Sequence, residues 1–240
     1  MSTATATRKT GAWETYAPLA GIVFVVALLA ESVIATGAGL TQNDSAAKIA
    51  TGLHEHRVRA LVIAYLSAVY AVAFVIYLSS LYNFLRRDAE PARILGYLVL
   101  VGGALFIALH AVSDIGITGL LGAKLASYGY LHDQGVVYTL YLVTYALDSV
   151  GDIFGSLAAV AAGLLVMRSR VLPRWLGWVS IIAGILFFLQ GFGLGGVIAT
   201  FGLVLDLIAF VLFLIFVIAS SVIFVRRGDS LRNKPLAQTG

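Results

Sequence analysis

Residues 17–38, APLAGIVFVVALLAESVIATGA, decide the fold. One ionisable side chain, Glu31, interrupts an otherwise apolar run that is long enough to cross a bilayer core, which takes about 20 residues in a helix. Arg8 and Lys9 precede the run as they would in a secretory leader. The run is nevertheless longer than the roughly 7–15 residues of a leader's apolar region, so a first transmembrane helix is expected. Applied along the chain, the same ruler places further helices near 58–85, 94–121, 136–167, 175–192 and 198–225. The expected fold is all-α, a polytopic transmembrane bundle of six spans. Residues 1–16 are its N-terminal tail, 17–225 the membrane domain and 226–240 a basic C-terminal tail. The longer second, third, fourth and sixth segments imply tilt or extension beyond the bilayer.

Composition agrees. Hydrophobic residues make up 60% of the chain and charged residues 12%, and the mean hydropathy is +0.95, far from soluble globular usage. Six spans leave no room for a second soluble domain in 240 residues. The absence of cysteine excludes disulfides, thiolate metal sites, iron–sulfur clusters and thiol redox chemistry. The net charge of +4 is a topology signal, and no nucleic-acid partner is expected from it. The N-terminal tail, the second and fourth loops and the C-terminal tail hold 12 of the 16 basic residues, leaving Lys48, Arg57, Arg59 and Lys124 for the other side. The positive-inside rule then puts both termini in the cytoplasm. Trp13, Trp175 and Trp178 fall near the expected cytoplasmic ends, where indole rings favour the headgroup layer. In the first outer loop Asp44-Ser45 has the character of a helix N-cap, so a short interfacial helix is expected from Ala46 onward.

The spans carry Glu31, His110, Asp114, Asp148, Asp152 and Asp206, with no Lys or Arg at mid-span. Ionisable groups in hydrocarbon cost several kcal/mol and persist mainly where they act or find partners. An acid-rich, base-poor interior is neutralised by protons, by a bound cation, or by basic residues reaching in from the ends, with Arg57 and Arg59 as the available counterions. His110 and Asp114 are four apart, as are Asp148 and Asp152, so each pair shares one helix face. In an antiparallel hairpin centred near Leu131, His110 is matched in depth to Asp152, and Asp114 to Asp148. That is a four-ligand set for Zn, Mn or Fe(II), since one imidazole beside carboxylates suits those metals better than Ca or Mg. Glu31 and Asp206 fall at a similar depth, roughly 10 Å below the outer surface at ~1.5 Å per residue, and extend the set as a proton or cation pathway.

The two-pair pattern resembles the intramembrane zinc site of cation diffusion facilitators, where H-x-x-x-D on one helix faces D-x-x-x-D on another. The likeness covers His110, Asp114, Asp148 and Asp152 alone, and the order of the paired helices differs. The competing structural account has these acids hydrogen-bonded to Ser113, Ser149, Tyr138, Tyr141 or Tyr145 as polar glue between helices. Gly151 and Gly155 flank Asp152 at a spacing suited to close helix contact. His54-Glu55-His56 and His132-Asp133 make an interfacial polar collar at the outer surface. Gly191 to Gly196 mimics a phosphate loop but has no preceding strand, so a flexible turn is expected.

The segment Asp44-Ser45-Ala46-Ala47-Lys48-Ile49 followed by an Arg at the mouth of the second span, together with Leu172-Pro173-Arg174-Trp175-Leu176-Gly177-Trp178 opening the fifth, resembles a family of six-helix bacterial membrane proteins of unknown function, common in actinobacteria. The resemblance covers most of the chain, implies a bacterial inner-membrane location and supplies no site residues. Three functions are weighed. The first is proton or divalent-cation binding, extending to transport, at the paired acids. The second is an accessory or assembly subunit of a larger membrane complex, or a homo-oligomer, doing no chemistry. The third is a metal-dependent enzyme acting on lipid, which no Ser-His or Glu-x-x-His signature supports; a non-enzymatic role is expected. Bis-histidine haem ligation is not expected, since His110 has no second intramembrane histidine.

Overall fold

The computed structural model describes residues 16–36, 39–41, 43–86, 93–122, 133–169, 172–192 and 199–232. Within the helices, the side chains of 36, 86, 192, 199–203, 206 and 228–232 lie outside that description. Among the described residues the structure is entirely helical: α1 (Ala20–Thr36), α2 (Ala46–Glu55), α3 (Arg57–Arg86), α4 (Arg93–Ala111), α5 (Gln134–Ser169), α6 (Arg174–Phe192) and α7 (Ala199–Arg232). All but α2 contain a stretch long and apolar enough to cross a membrane. Hydrocarbon offers backbone N–H and C=O groups no partners, so a chain this apolar satisfies them within helices.

The helix starts follow local chemistry. Pro18 sits in a 3-10 turn, Ala17–Leu19, that leads into α1, a position where its missing N–H costs nothing. Ser45 caps α2 by accepting from the Lys48 N–H at 3.3 Å, as its sequence implied. Asp44 accepts from the Lys48 ammonium at 2.7 Å and from the Thr41 N–H at 2.8 Å. Those two contacts, Lys48 first, hold the Asp44 carboxyl below the usual carboxylate range. Asp133 accepts from the Val136 N–H at 3.1 Å and caps α5, so this half of the expected outer collar is a helix cap; His132 lies outside the described residues. The buried face of α2, formed by Ile49, Ala50 and Leu53, packs on Leu121 and Val137.

Two boundaries differ from expectation. The third span is α-helical only to Ala111 and then continues as a π-helical stretch, Val112–Thr118. The last helix runs to Arg232, beyond the apolar limit near 225, because a helix once formed propagates through Arg226 and Arg227 at little cost.

Each span packs on its neighbours in sequence, α1 on α3 and onward to α7, and α7 returns to α1. Six spans thus close into a ring. Without a hydrophobic force between helices in lipid, close approach and interhelical hydrogen bonds hold such a ring. On α5, Ser149, Ser156 and Gly163 recur every seven residues and face Gly191, Gly184 and Gly177 of α6. A Cβ added at Gly163 would lie 2.5 Å from the Gly177 carbonyl oxygen; at Gly184, 2.9 Å from Ser156 O; at Gly191, 3.0 Å from Ser149 O. Gly191 is therefore a packing glycine at the end of α6. Ser180 adds a cross-link, donating to Ala159 O at 2.7 Å. The α4–α5 contact is built likewise. A Cβ at Gly102 would stand 2.9 Å from Phe154 O, and one at Gly155 2.6 Å from the Phe106 ring.

Candidate functional site

Inside the ring five phenylalanines from five spans meet in one layer. Phe24 (α1) lies 4.9 Å from Phe74 (α3), Phe74 5.6 Å from Phe106 (α4), Phe106 6.0 Å from Phe213 (α7), and Phe213 5.7 Å from Phe187 (α6), centroid to centroid. Phe24 and Phe213 close the circuit at 5.9 Å. Opposite Phe106, α5 contributes Gly155, which leaves the ring its space. The apolar ionisable-residue pattern ends at this layer. Glu31, Tyr70, His110, Asp114, Asp148 and Asp152 all lie on its α2 side.

His110 rests directly on the layer, its ring 4.5 Å from that of Phe106. Gly151 makes room for it, since a Cβ there would fall 2.7 Å from both Cε1 and Nδ1 of the imidazole. His110 Nδ1 is 3.0 Å from the Phe106 carbonyl oxygen. A carbonyl only accepts, so Nδ1 carries the proton. Nε2 then faces Asp152, 3.7 Å from its Oδ1, with the two side chains 20% and 11% exposed. In a neutral imidazole this Nε2 presents a lone pair. Against a carboxylate oxygen that arrangement is repulsive, so the pair is attractive only when it holds one further proton, on Nε2 or on Asp152. The depth matching expected for the hairpin is met here.

The remaining acids stand one turn further toward α2. Asp114 accepts from the Tyr70 hydroxyl and has the Ser67 hydroxyl within reach. It lies in the π-helical stretch, where the Gly119 N–H bonds back to Asp114 O; such wide turns recur at functional sites. Asp148 interacts electrostatically with both His110 and Asp114 and has Ser113 within hydrogen-bonding reach. Its Oδ1 is buried with no hydrogen-bond partner among the described residues, as is Gln190 Oε1 of α6. Glu31 on α1 is close enough to Asp114 and Asp148 to feel their charge. The side chain of Asp206 lies outside the described residues. Five of the six ionisable residues therefore converge, drawn from α1, α4 and α5.

Other expectations fare differently. Arg57 and Arg59 form no ion pair with Glu31, Asp114, Asp148 or Asp152 among the described residues, and Nη1 of Arg59 is buried without a hydrogen-bond partner. Both arginines sit in the first turn of α3. Tyr141 and Tyr145 pair with each other at 3.0 Å, Tyr138 packs under α2, and the Ser113 hydroxyl, though near Asp148, donates to Thr144 O at 3.3 Å. No group of three or more His, Asp and Glu side chains is arranged to hold a metal ion among the described residues. Tyr70 is the contributor that sequence reasoning missed. Ser67, Tyr70, Phe74 and Tyr77 are spaced three and four apart along one face of α3, and that spacing was the available signal.

Fold and site together define a multi-pass membrane protein whose helical ring holds a polar, acid-rich cluster above an aromatic layer. The chain belongs to the family described as Domain of unknown function (DUF4386), whose model matches residues 19–224. Neither curated proteins nor solved structures provide a match.

Proposed function

We propose that this protein is a proton-binding membrane protein, with the His110–Asp152 pair as its protonation centre and Glu31, Asp114, Asp148 and Asp206 as the carboxylates that exchange protons or a small cation with it. One observation carries the proposal: the Phe106 carbonyl fixes the imidazole so that its second nitrogen faces a carboxylate. The pair has a place for one mobile proton, Asp148 Oδ1 is a spare acceptor beside it, and among the described residues no Lys or Arg pairs with Glu31, Asp114 or Asp148. With both termini in the cytoplasm, as the Lys/Arg distribution favours, the acid cluster lies in the outer half of a bacterial inner membrane. Proton-coupled carriage of a small cation is the activity this arrangement suits.

Infrared difference spectra of the lipid-reconstituted protein, with ¹³C-labelled aspartate, test the proposal. Between acid and alkaline buffer, wild type is expected to show a protonated-carboxyl band that changes intensity. The change should shrink in Asp152→Asn and shift in His110→Gln. Identical difference spectra in wild type and both variants would contradict the proposal and favour an accessory subunit held together by polar contacts.

A further inference from the structure

On the other side of the phenylalanine layer lies a second buried polar group, made by α1, α3 and α7. Tyr77 Oη and Ser220 Oγ are 2.8 Å apart. Ser220 has one hydroxyl hydrogen and directs it at Phe216 O, 2.7 Å away, so Tyr77 is the donor in that pair. Beside them Ser221 is 0% exposed, and its Oγ has no hydrogen-bond partner among the described residues. Hydroxyls elsewhere in these helices return their proton to the carbonyl four residues back, as Ser32, Ser67, Ser79 and Ser80 do; Ser221 does not. Ser221 Oγ and the Tyr77 ring pack directly on Gly21, where an added Cβ would stand 2.2 Å from Ser221 Oγ and 2.7 Å from Tyr77 Cδ2. A buried, unpaired hydroxyl in a polar niche is where an ordered water binds.

Tyr77 also borders a cavity of about 30 Å³ that touches Phe74, Phe106 and Phe213. One water needs roughly 10–15 Å³, though so apolar a cavity stays dry at rest. Phe74 lies one helical turn from Tyr70 above it and from Tyr77 below it on α3. One layer of rings and one small cavity therefore separate the acid cluster from the hydroxyl niche.

We infer that Tyr77, Ser220 and Ser221 form a water-binding station on the inner side of the bundle, that this station continues the proton path begun at His110–Asp152, and that the phenylalanine layer is the barrier between them. This rests on the proton-binding reading of the acid site. A proton leaving the His110–Asp152 pair is taken up by water entering the cavity and handed to the water at Ser221. The hydroxyls of Tyr77, Ser220 and Ser221 orient those waters and are not ionised. No covalent bond other than O–H and N–H changes.

The test is proton flux into vesicles carrying an internal pH-sensitive dye, under an imposed pH gradient with charge compensation by K⁺ and valinomycin. Phe213→Ala removes one ring of the barrier, and flux is expected to rise at least about tenfold over wild type. Phe74→Leu, which keeps bulk and removes the ring, is run alongside as the milder opening and should raise flux severalfold. In the opened background Tyr77→Phe with Ser221→Ala should return flux to within about twofold of wild type. No rise in either opened variant, each verified as folded by size-exclusion chromatography, would overturn the inference. So would a rise that Tyr77→Phe/Ser221→Ala leaves untouched. Asp152→Asn in the same background separates the two sites. Flux that depends on Asp152 but not on Tyr77 and Ser221 removes the inner station alone. Flux that depends on the hydroxyls but not on Asp152 keeps the station and removes the reading of the acid site.

Discussion

Gly163→Leu is expected to destabilise the protein by about 3 kcal/mol or more. The α5–α6 contact is made by backbone against backbone at this position. A Cβ alone would sit 2.5 Å from Gly177 O, 2.6 Å from Ile181 Cγ1 and 3.1 Å from Ile181 N. None of the first and last of these atoms is at the end of a flexible side chain, so the helices must separate. Separation loses the close approaches at Gly184 and Gly191 and strains the Ser180–Ala159 hydrogen bond, because all lie on one seam. Dispersion and hydrogen bonding supply the association in lipid, and both fall steeply with distance. Gly116→Ala is the control, since an added Cβ there meets nothing within 4 Å; its stability should stay within about 0.5 kcal/mol of wild type. Unfolding in mixed micelles, followed by the fluorescence of Trp175 and Trp178 on α6, reads both.

The second large effect is expected at His110 and Asp152. His110→Leu removes the partner that Asp152 Oδ1 faces at 3.7 Å and puts an apolar side chain against its carboxyl group. Breaking a fully buried ion pair costs roughly 3–5 kcal/mol. The side chains here are 20% and 11% exposed, which reduces the expected loss to about 2–3 kcal/mol. The double variant His110→Leu/Asp152→Leu should be more stable than the sum of the single losses implies by at least about 1 kcal/mol, since it leaves neither group unmatched. Additivity to within about 0.5 kcal/mol would show that the two side chains act independently.

Much of this arrangement was legible because it depends on spacing. Span positions came from the lengths of apolar runs, and the His110–Asp152 approach came from their equal distance to the middle of an antiparallel hairpin. Gly151 and Gly155 announced a close contact, and they provide it for His110 and Phe106. Depth is readable in this way, whereas rotation about the helix axis is not. The α3 helix is apolar on most sides, and the spacing of Ser67, Tyr70 and Tyr77 on one face was the one sign that Tyr70 turns inward to Asp114. The π-helical stretch escaped for a related reason: in a uniformly apolar segment a wider turn leaves no change of period to detect. Arg57 and Arg59 were matched to the acids by charge alone, and among the described residues neither forms an ion pair with Glu31, Asp114, Asp148 or Asp152. Index spacing likewise aligned four side chains without saying that Tyr70 holds one and the Phe106 carbonyl turns another.

The measurement that tests the central claim most directly is ¹⁵N NMR of the imidazole of His110 in the reconstituted protein, assigned by its loss in His110→Gln and followed across pH. The account predicts an Nδ1 that stays protonated throughout and an Nε2 that gains and loses one proton, with its response altered in Asp152→Asn. An Nδ1 that loses its proton while Nε2 keeps one, or an Nε2 signal that is displaced by added Zn²⁺ and insensitive to Asp152→Asn, would contradict it.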